Sequence, residues 1–369
     1  MAERDRASGA AGGSRSPARL VLLWAASLVI GGLLLWLARA HFGVALWPDD
    51  FSVARPAVLS IAIALVVPYA WIRASRLRWV LDPLVVEATG EPSRFDRAHL
   101  LGSGWVSYLV LMVLPFKVGE VSRPLLLAAA RQPGVGVPEA VGAVGIERIV
   151  DGLLVCAMLF GGIAASDAVR FPLGDELAGV QSFGQWMLAA FAAALAVALW
   201  ISRAPDRWAA RAQIGLAFAG PRIADRISGA VARLGHAFAQ LAALRRVAPL
   251  AIASIVYWTL TVLQLALVAL ACGLELGAAE AAAVVAIVGL SIQLPGGPAQ
   301  TGTFQVGAGA AVSLFVDPAT HGNELASFVA LMFAVQLGGA VAMALPGAAL
   351  LAAGRRRGAG RVAALETRK

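Results

Sequence analysis

LVLLWAASLVIGGLLLWLA, residues 20–38, runs for nineteen residues without a charge. A helix rising about 1.5 Å per residue needs about 20 residues to cross a hydrocarbon core roughly 30 Å thick. The stretch therefore reads as a membrane span. Its apolar core is longer than the roughly 7–15 residues usual in a cleavable leader, so a retained first span is expected behind the basic tail 1–19. The whole chain agrees with this reading. It is 59% hydrophobic, has a mean hydropathy of +0.77, and carries 14% charged residues, against about 25% in soluble domains.

Arginine sets the expected topology, because positive charge collects on the cytoplasmic side of short loops. The 369 residues hold 30 Lys and Arg against 22 Asp and Glu, a net charge of +8. Arg4, Arg6, Arg15 and Arg19 place the N terminus inside. Spans are expected at 20–38, about 56–72, 142–165, 185–201, 249–272 and 325–353. The segment 73–99, with Arg73, Arg76, Arg78, Arg94 and Arg97, reads as cytoplasmic. So do the Arg-rich segment 203–246 and the tail 354–369, which opens with Arg355, Arg356 and Arg357. In a membrane protein this excess of positive charge points to orientation and to anionic inner-leaflet lipids. It does not require nucleic acid.

Two segments do not fit as simple spans. Leu100–Arg131 must begin and end inside, and its apolar arms are split by PFKVGEVSR (115–123). The segment 281–316 must begin and end outside, and it is split by PGGPAQTG (295–302). Broken backbone at membrane depth is tolerated only where protein or water satisfies it. Paired interruptions in two halves of a chain point to a midplane binding site in an inverted-repeat transporter. The expected architecture is all-α: six full spans plus two oppositely oriented re-entrant helical hairpins. Two full but kinked helices in each region would preserve the same parity.

The interruptions also locate the chemistry. Lys117, Glu120 and Arg123 lie in the first, and Glu147, Arg148 and Asp151 follow in the next apolar span. A charge in hydrocarbon costs about 2.5–3.5 kcal/mol on insertion scales, so six of them must pair, line a wet cavity or hold a polar ligand. Helical spacing allows Glu120 to pair with Arg123 and Arg148 with Asp151. Three bases and three acids also suit a purely structural ion-pair cluster. As a site, Arg offers a planar fork for phosphate, with Lys as a point charge, and Gly119 lets backbone approach a ligand. The opposing tip supplies Gln300, Thr301, Thr303 and Gln305, with Pro115, Pro295, Gly296, Gly297, Pro298 and Gly302 as turn formers.

At these residues the chain resembles the membrane region of the lysylphosphatidylglycerol synthase/flippase-like family. PFKVGEVSRPLLLAAAR (115–131) is similar to the family's Pro-x-(Arg/Lys)-x-Gly-Glu-x-x-Arg stretch, and ERIVDGLLV (147–155) to its Glu-Arg-x-x-Asp element. LPGGPAQTGTFQVG (294–307) resembles its Pro/Gly-rich signature. Ala299 stands where the family usually has Gly, and Gln305 where many members carry Glu. The resemblance implies a flippase-like transmembrane domain over 20–353. It would move a phospholipid, a polyprenyl-phosphate-linked sugar or a related amphiphile. With the chain closing at Lys369, no soluble synthase portion is expected.

Neither cofactor nor metal is expected. His41, His99, His236 and His321 have no ligand spacing, and Cys156 and Cys272 read as small apolar side chains. A non-enzymatic lipid translocase of the inner membrane is the leading expectation, with both termini inside. A membrane-embedded transferase using Glu147 or Asp151 as base is a rival. So is a non-catalytic accessory protein of envelope assembly, for which 203–246 would supply the partner surface. Within that segment Ile223, Ile227, Val231, Leu234, Phe238 and Leu241 form one apolar helix face, suited to the inner leaflet or to the underside of the bundle. Self-association and a lipid-biosynthesis partner both stay open.

Overall fold

A computed structural model describes residues 17–42, 48, 50–114, 119–166, 174–241 and 244–366. Among these residues there are helices and turns but no strands. Helix α1 covers Pro17–Phe42. A long rod follows in three pieces, α2 (Pro56–Ala64), α3 (Val66–Ser75) and α4 (Arg78–Thr89). It ends at Gly90, whose φ of 70° is the left-handed conformation glycine adopts without a Cβ penalty. Next come α5 (Arg97–Val113), α6 (Ser122–Ala128) and α7 (Val137–Ala165). Helices α8 (Gly174–Arg203), α9 (Pro205–Gly215) and α10 (Pro221–Leu241) lead into α11 (Leu244–Ala271). The chain closes with α12 (Ala278–Ser291), α13 (Thr303–Ser313) and α14 (Pro318–Glu366).

Five described helical stretches are long and apolar enough to cross a membrane: 56–89, 137–165, 181–203, 246–271 and 318–354. A shorter apolar stretch, Val21–Leu37, lies in α1. The chain is therefore a multi-pass helical membrane protein. Many large apolar side chains face outward, among them Leu22, Val29, Trp36, Trp186 and Leu345. In water such a surface would be an aggregation hazard; in lipid it is the solvated face.

The second span differs from expectation. The segment from Arg73 onward does not leave the bundle as a loop, because the helical rod continues to Thr89 and carries Arg73 and Arg76 inward. Both are buried. Arginine counting treated them as topology markers, but a guanidinium can enter a bundle when carboxylates wait for it.

Both interrupted segments are broken helices. Helix α5 is capped by Asp96, whose carboxylate accepts the Ala98 and His99 N–H groups. The arms α5 and α6 are tied by His99, whose Nε2 lies 2.6 Å from the Leu126 carbonyl. Helices α12 and α13 enclose a 3₁₀ turn at Pro298–Gln300. A Glu or Gln side chain reaches back to a backbone N–H at three helix starts: Glu139 to Gly136, Glu280 to Gly277, and Gln305 to Gly302. Each satisfies one of the orphan donors of a first turn.

The helix contacts survive exchange of the two halves. Rod, broken pair and long helix recur as α2–α4, α5/α6, α7 and as α11, α12/α13, α14. Helix α7 lies along α12, just as α14 lies along α5. Helix α3 meets α5 as α11 meets α12, and the first rods of the halves touch each other. Between the halves, α10 packs on α7, α8 and α9. Its buried positions among the described residues are the small Ala224, Ser228, Gly235 and Ala237, while Ile223 and Ile227 stay exposed. The stripe of large apolar residues on this helix thus lies partly outside the protein core.

Candidate functional site

Three helices carry the charged cluster. From α3, or just beyond it, come Arg73 and Arg76; from α6, Arg123; from α7, Glu147, Arg148 and Asp151. Arg76 donates both terminal nitrogens to Asp151 at 2.5 Å each, and its Nη2 lies 2.7 Å from Glu147 Oε1. Arg123 Nη1 bonds both Glu147 oxygens, at 2.8 and 2.6 Å. Its other terminal nitrogen points at the Arg73 and Ala74 carbonyls. Ser254 and Trp258 of α11 complete the shell: Arg76 donates to Ser254 Oγ at 2.7 Å, and Trp258 Nε1 donates to Asp151 at 3.2 Å. Arg76, Arg123 and Glu147 are at most 4% exposed. Fork-shaped, charge-assisted contacts of this kind are what make buried ion pairs tolerable.

The expected partners within one helix are not the ones observed. Arg123 pairs with Glu147 rather than Glu120, and Asp151 pairs with Arg76 rather than Arg148. The pairs join α6 to α7 and the α2–α4 rod to α7, so they hold tertiary structure. Arg148 is left beside them, half-buried and without a hydrogen bond or ion pair to a described residue.

Beside this cluster lies a cavity of about 300 Å³ with two unlike ends. Its polar wall includes Tyr69, Arg73, Tyr108, Arg148, Asp151 and Tyr257. Glu120, an exposed residue, lines its edge. The apolar end is formed by Leu265, Val285, Val288, Phe304, Phe328 and Met332. Both broken helices contribute: Tyr108 and Met112 from α5, and Val288, Gln300 and Phe304 from the second pair. Volume and mixed lining match a ligand pocket at the small end of the usual range, about 300–1,000 Å³.

All three tyrosines of the chain line this cavity. The Tyr69 and Tyr257 hydroxyls are 3.4 Å apart, and the Tyr108 hydroxyl donates to Gln336 at 2.9 Å. Arg73 stacks over the Tyr108 ring at 4.0 Å, and Arg76 over Tyr257 at 4.5 Å. Sequence reasoning passed over these residues. The available signal was the spacing Tyr69, Arg73, Arg76, one face of a helix, inside a stretch otherwise apolar.

The remaining expected site residues fall into distinct places. Lys117 and Pro115 lie outside the described residues. Gly119 sits against α5: a Cβ there would come within 2.5 Å of Leu111 Cα and the Val110 carbonyl. Its smallness serves the return of the chain rather than a ligand. Gln300 reaches the cavity wall. The Thr301 hydroxyl donates to the Pro298 carbonyl and the Thr303 hydroxyl to the Gln300 carbonyl. Gln305 is occupied by the Gly302 N–H at 2.7 Å. Gly296, Gly297 and Gly302 press on α1, where Ser27 donates to the Gly296 carbonyl and Gly31 meets Gly297 backbone to backbone. Pro295 is exposed at that turn, and Pro298 opens the 3₁₀ segment.

Fold and site together define a class: a multi-pass helical membrane protein with a buried, charged and aromatic cavity between two broken helices. The family described as Lysylphosphatidylglycerol synthase TM region matches residues 24–342, and the chain belongs to it. No curated protein and no solved structure matches the chain. Membership ties the protein to lipid-related processes of the membrane.

Proposed function

We propose that this protein is a lipid translocase that takes the polar headgroup of an amphiphile into the cavity between its broken helices and passes it across the membrane. A pocket with a charged end and an apolar end, lined from both halves of a bundle whose contacts survive their exchange, carries this reading. Sites at the meeting point of interrupted helices are how repeat-built transporters reach the midplane. In this reading α5/α6 and α12/α13 are re-entrant from opposite faces. The Arg-rich segments 1–19, 203–246 and 354–369 then lie in the cytoplasm, against the anionic leaflet of the inner membrane.

No covalent chemistry is assigned to the site. Glu147 and Asp151, the carboxylates a transferase would use as bases, have their oxygens engaged by Arg76 and Arg123. They hold guanidinium groups in place, which suits binding better than proton abstraction.

The test is a proteoliposome assay in which dithionite bleaches a fluorescent lipid only in the outer leaflet. Wild-type protein is expected to expose lipid from the inner leaflet faster than empty vesicles. Arg148→Gln should lose this while reconstituting normally, because its side chain bonds no described residue. Arg123→Ala is a poorer probe, since it removes one of the two guanidinium partners of the buried Glu147 and is expected to disturb folding. Absence of movement across labelled anionic, zwitterionic and polyprenyl-phosphate lipids alike would sink the proposal.

A further inference from the structure

We infer that Arg73 and Arg148, with the tyrosine hydroxyls beside them, form the seat of a phosphate group that carries negative charge. The inference rests on the translocase reading for the phosphate's role, but its geometry stands independently. Among the described residues the cluster holds four guanidinium groups (Arg73, Arg76, Arg123 and Arg148) and three carboxylates (Glu120, Glu147 and Asp151). Glu147 and Asp151 are matched by Arg76 and Arg123 through hydrogen bonds. That leaves Arg73 and Arg148, neither of which has a hydrogen-bonded or ion-paired carboxylate among the described residues.

Arg73 is the telling one. It is only 8% exposed and lines the cavity. The Tyr108 ring covers one face of its guanidinium at 4.0 Å. A cation–π contact compensates part of a buried charge, about 2 kcal/mol when desolvated, whereas an unpaired buried ion costs several kcal/mol. None of its five donors bonds a described residue, and Tyr69 and Tyr257 present hydroxyls in the same wall. A planar fork of donors facing a cavity suits a tetrahedral oxyanion with several acceptor oxygens. The apolar end of the same cavity receives whatever the phosphate is attached to. Stacking on Tyr108 fixes the fork, so little further order is needed when the anion arrives.

The experiment uses the full chain in a neutral detergent and reads thermal stability. The probes are dioctanoyl phosphatidylglycerol, dioctanoyl phosphatidylcholine, inorganic phosphate and a neutral dioctanoylglycerol. Phosphatidylglycerol is expected to raise the melting temperature in a saturable way, and dioctanoylglycerol to leave it unmoved. Losing charge-assisted hydrogen bonds should weaken binding about 10- to 100-fold in Arg73→Gln and Arg148→Gln. The exposed Arg94→Gln should behave as wild type, and Arg73→Lys should keep part of the effect. Stabilisation by phosphatidylcholine as well would support a seat that reads the phosphate itself. Competition by inorganic phosphate at similar concentration would support the seat and assign its source as a free anion.

Ligand-free stability guards against a folding artefact. Arg73→Gln strands no carboxylate, so its melting temperature should match or exceed wild type, whereas Arg76→Gln should fall well below it. A shift that survives both Arg73→Gln and Arg148→Gln overturns the inference. So does a ligand-free Arg73→Gln as unstable as Arg76→Gln, or a preference for the neutral lipid. The two readings fail separately: Arg73-dependent binding without lipid movement removes the translocase, and lipid movement without Arg73-dependent binding removes the seat.

Discussion

The two broken helices occupy corresponding places in the two halves, yet they are held by opposite means. The first, α5/α6, is fastened by charge: Arg123 reaches across to Glu147, which Arg76 also holds. The second, α12/α13, is fastened by backbone. Its turn lies on α1 through Gly31 and Gly297, and its hydroxyls and amides close on their own chain. Ions resist removal from water and must be matched one for one. Close-packed glycine backbone needs only the absence of side chains. One half therefore supplies a charged wall and the other a neutral, closely fitted one, and the cavity between them takes on two unlike ends.

The largest expected effect breaks the ionic half. Glu147→Gln keeps the size of the side chain but removes the only carboxylate that Arg123 bonds among the described residues. Breaking one member of a buried pair costs about 3–5 kcal/mol. Unfolding in mixed micelles should show a loss of this size. A loss below about 1 kcal/mol would mean that water enters and screens the cluster as it does a surface pair.

A pair of glycine substitutions sharpens the contrast within the backbone contacts. A Cβ on Gly119 meets backbone atoms of Val110 and Leu111 at 2.5 Å. One on Gly31 meets Gly297 Cα at 2.9 Å. Forcing atoms into filled space costs about 1–3 kcal/mol, so Gly119→Ala should sit at the upper end and Gly31→Ala lower. Thermal unfolding of the two variants side by side decides it. The reverse order would show that the first hairpin yields more easily than the second.

The helical membrane bundle and its two interruptions were legible because hydrophobic length and charge placement are set by the bilayer. Arg123, Glu147, Arg148 and Asp151 were legible for the same reason: an ion in an apolar run stands out. Their pairing was not. Spacing along one helix suggests Glu120 with Arg123, whereas the true partner, Glu147, lies on another helix that only the fold brings near. Arg73 and Arg76 were hidden because arginine near a span end usually marks the cytoplasmic side. The three tyrosines were hidden because positions 69, 108 and 257 share nothing in sequence and meet only across three helices. Gln305 looked like a ligand group and proves to cap α13, a task that Glu139 and Glu280 perform at two other helix starts.

The smallest expected effect lies in the neutral half. Ala299 has φ 57° and ψ 24°, and Gln300 follows with φ 61°. The left-handed conformation costs an L-residue about 1–2 kcal/mol because Cβ crowds the following carbonyl. Glycine escapes that cost but gives back roughly 0.4–1 kcal/mol through its freer unfolded chain. Ala299→Gly should therefore stabilise the protein by about 0.5–1 kcal/mol, seen as a small rise in melting temperature. The cavity wall at Gln300 is untouched by this change, so lipid binding should stay as in wild type. A fall in stability would mean that the alanine methyl group makes a contact worth more than the strain. The backbone half of the comparison would then depend on side-chain packing as well.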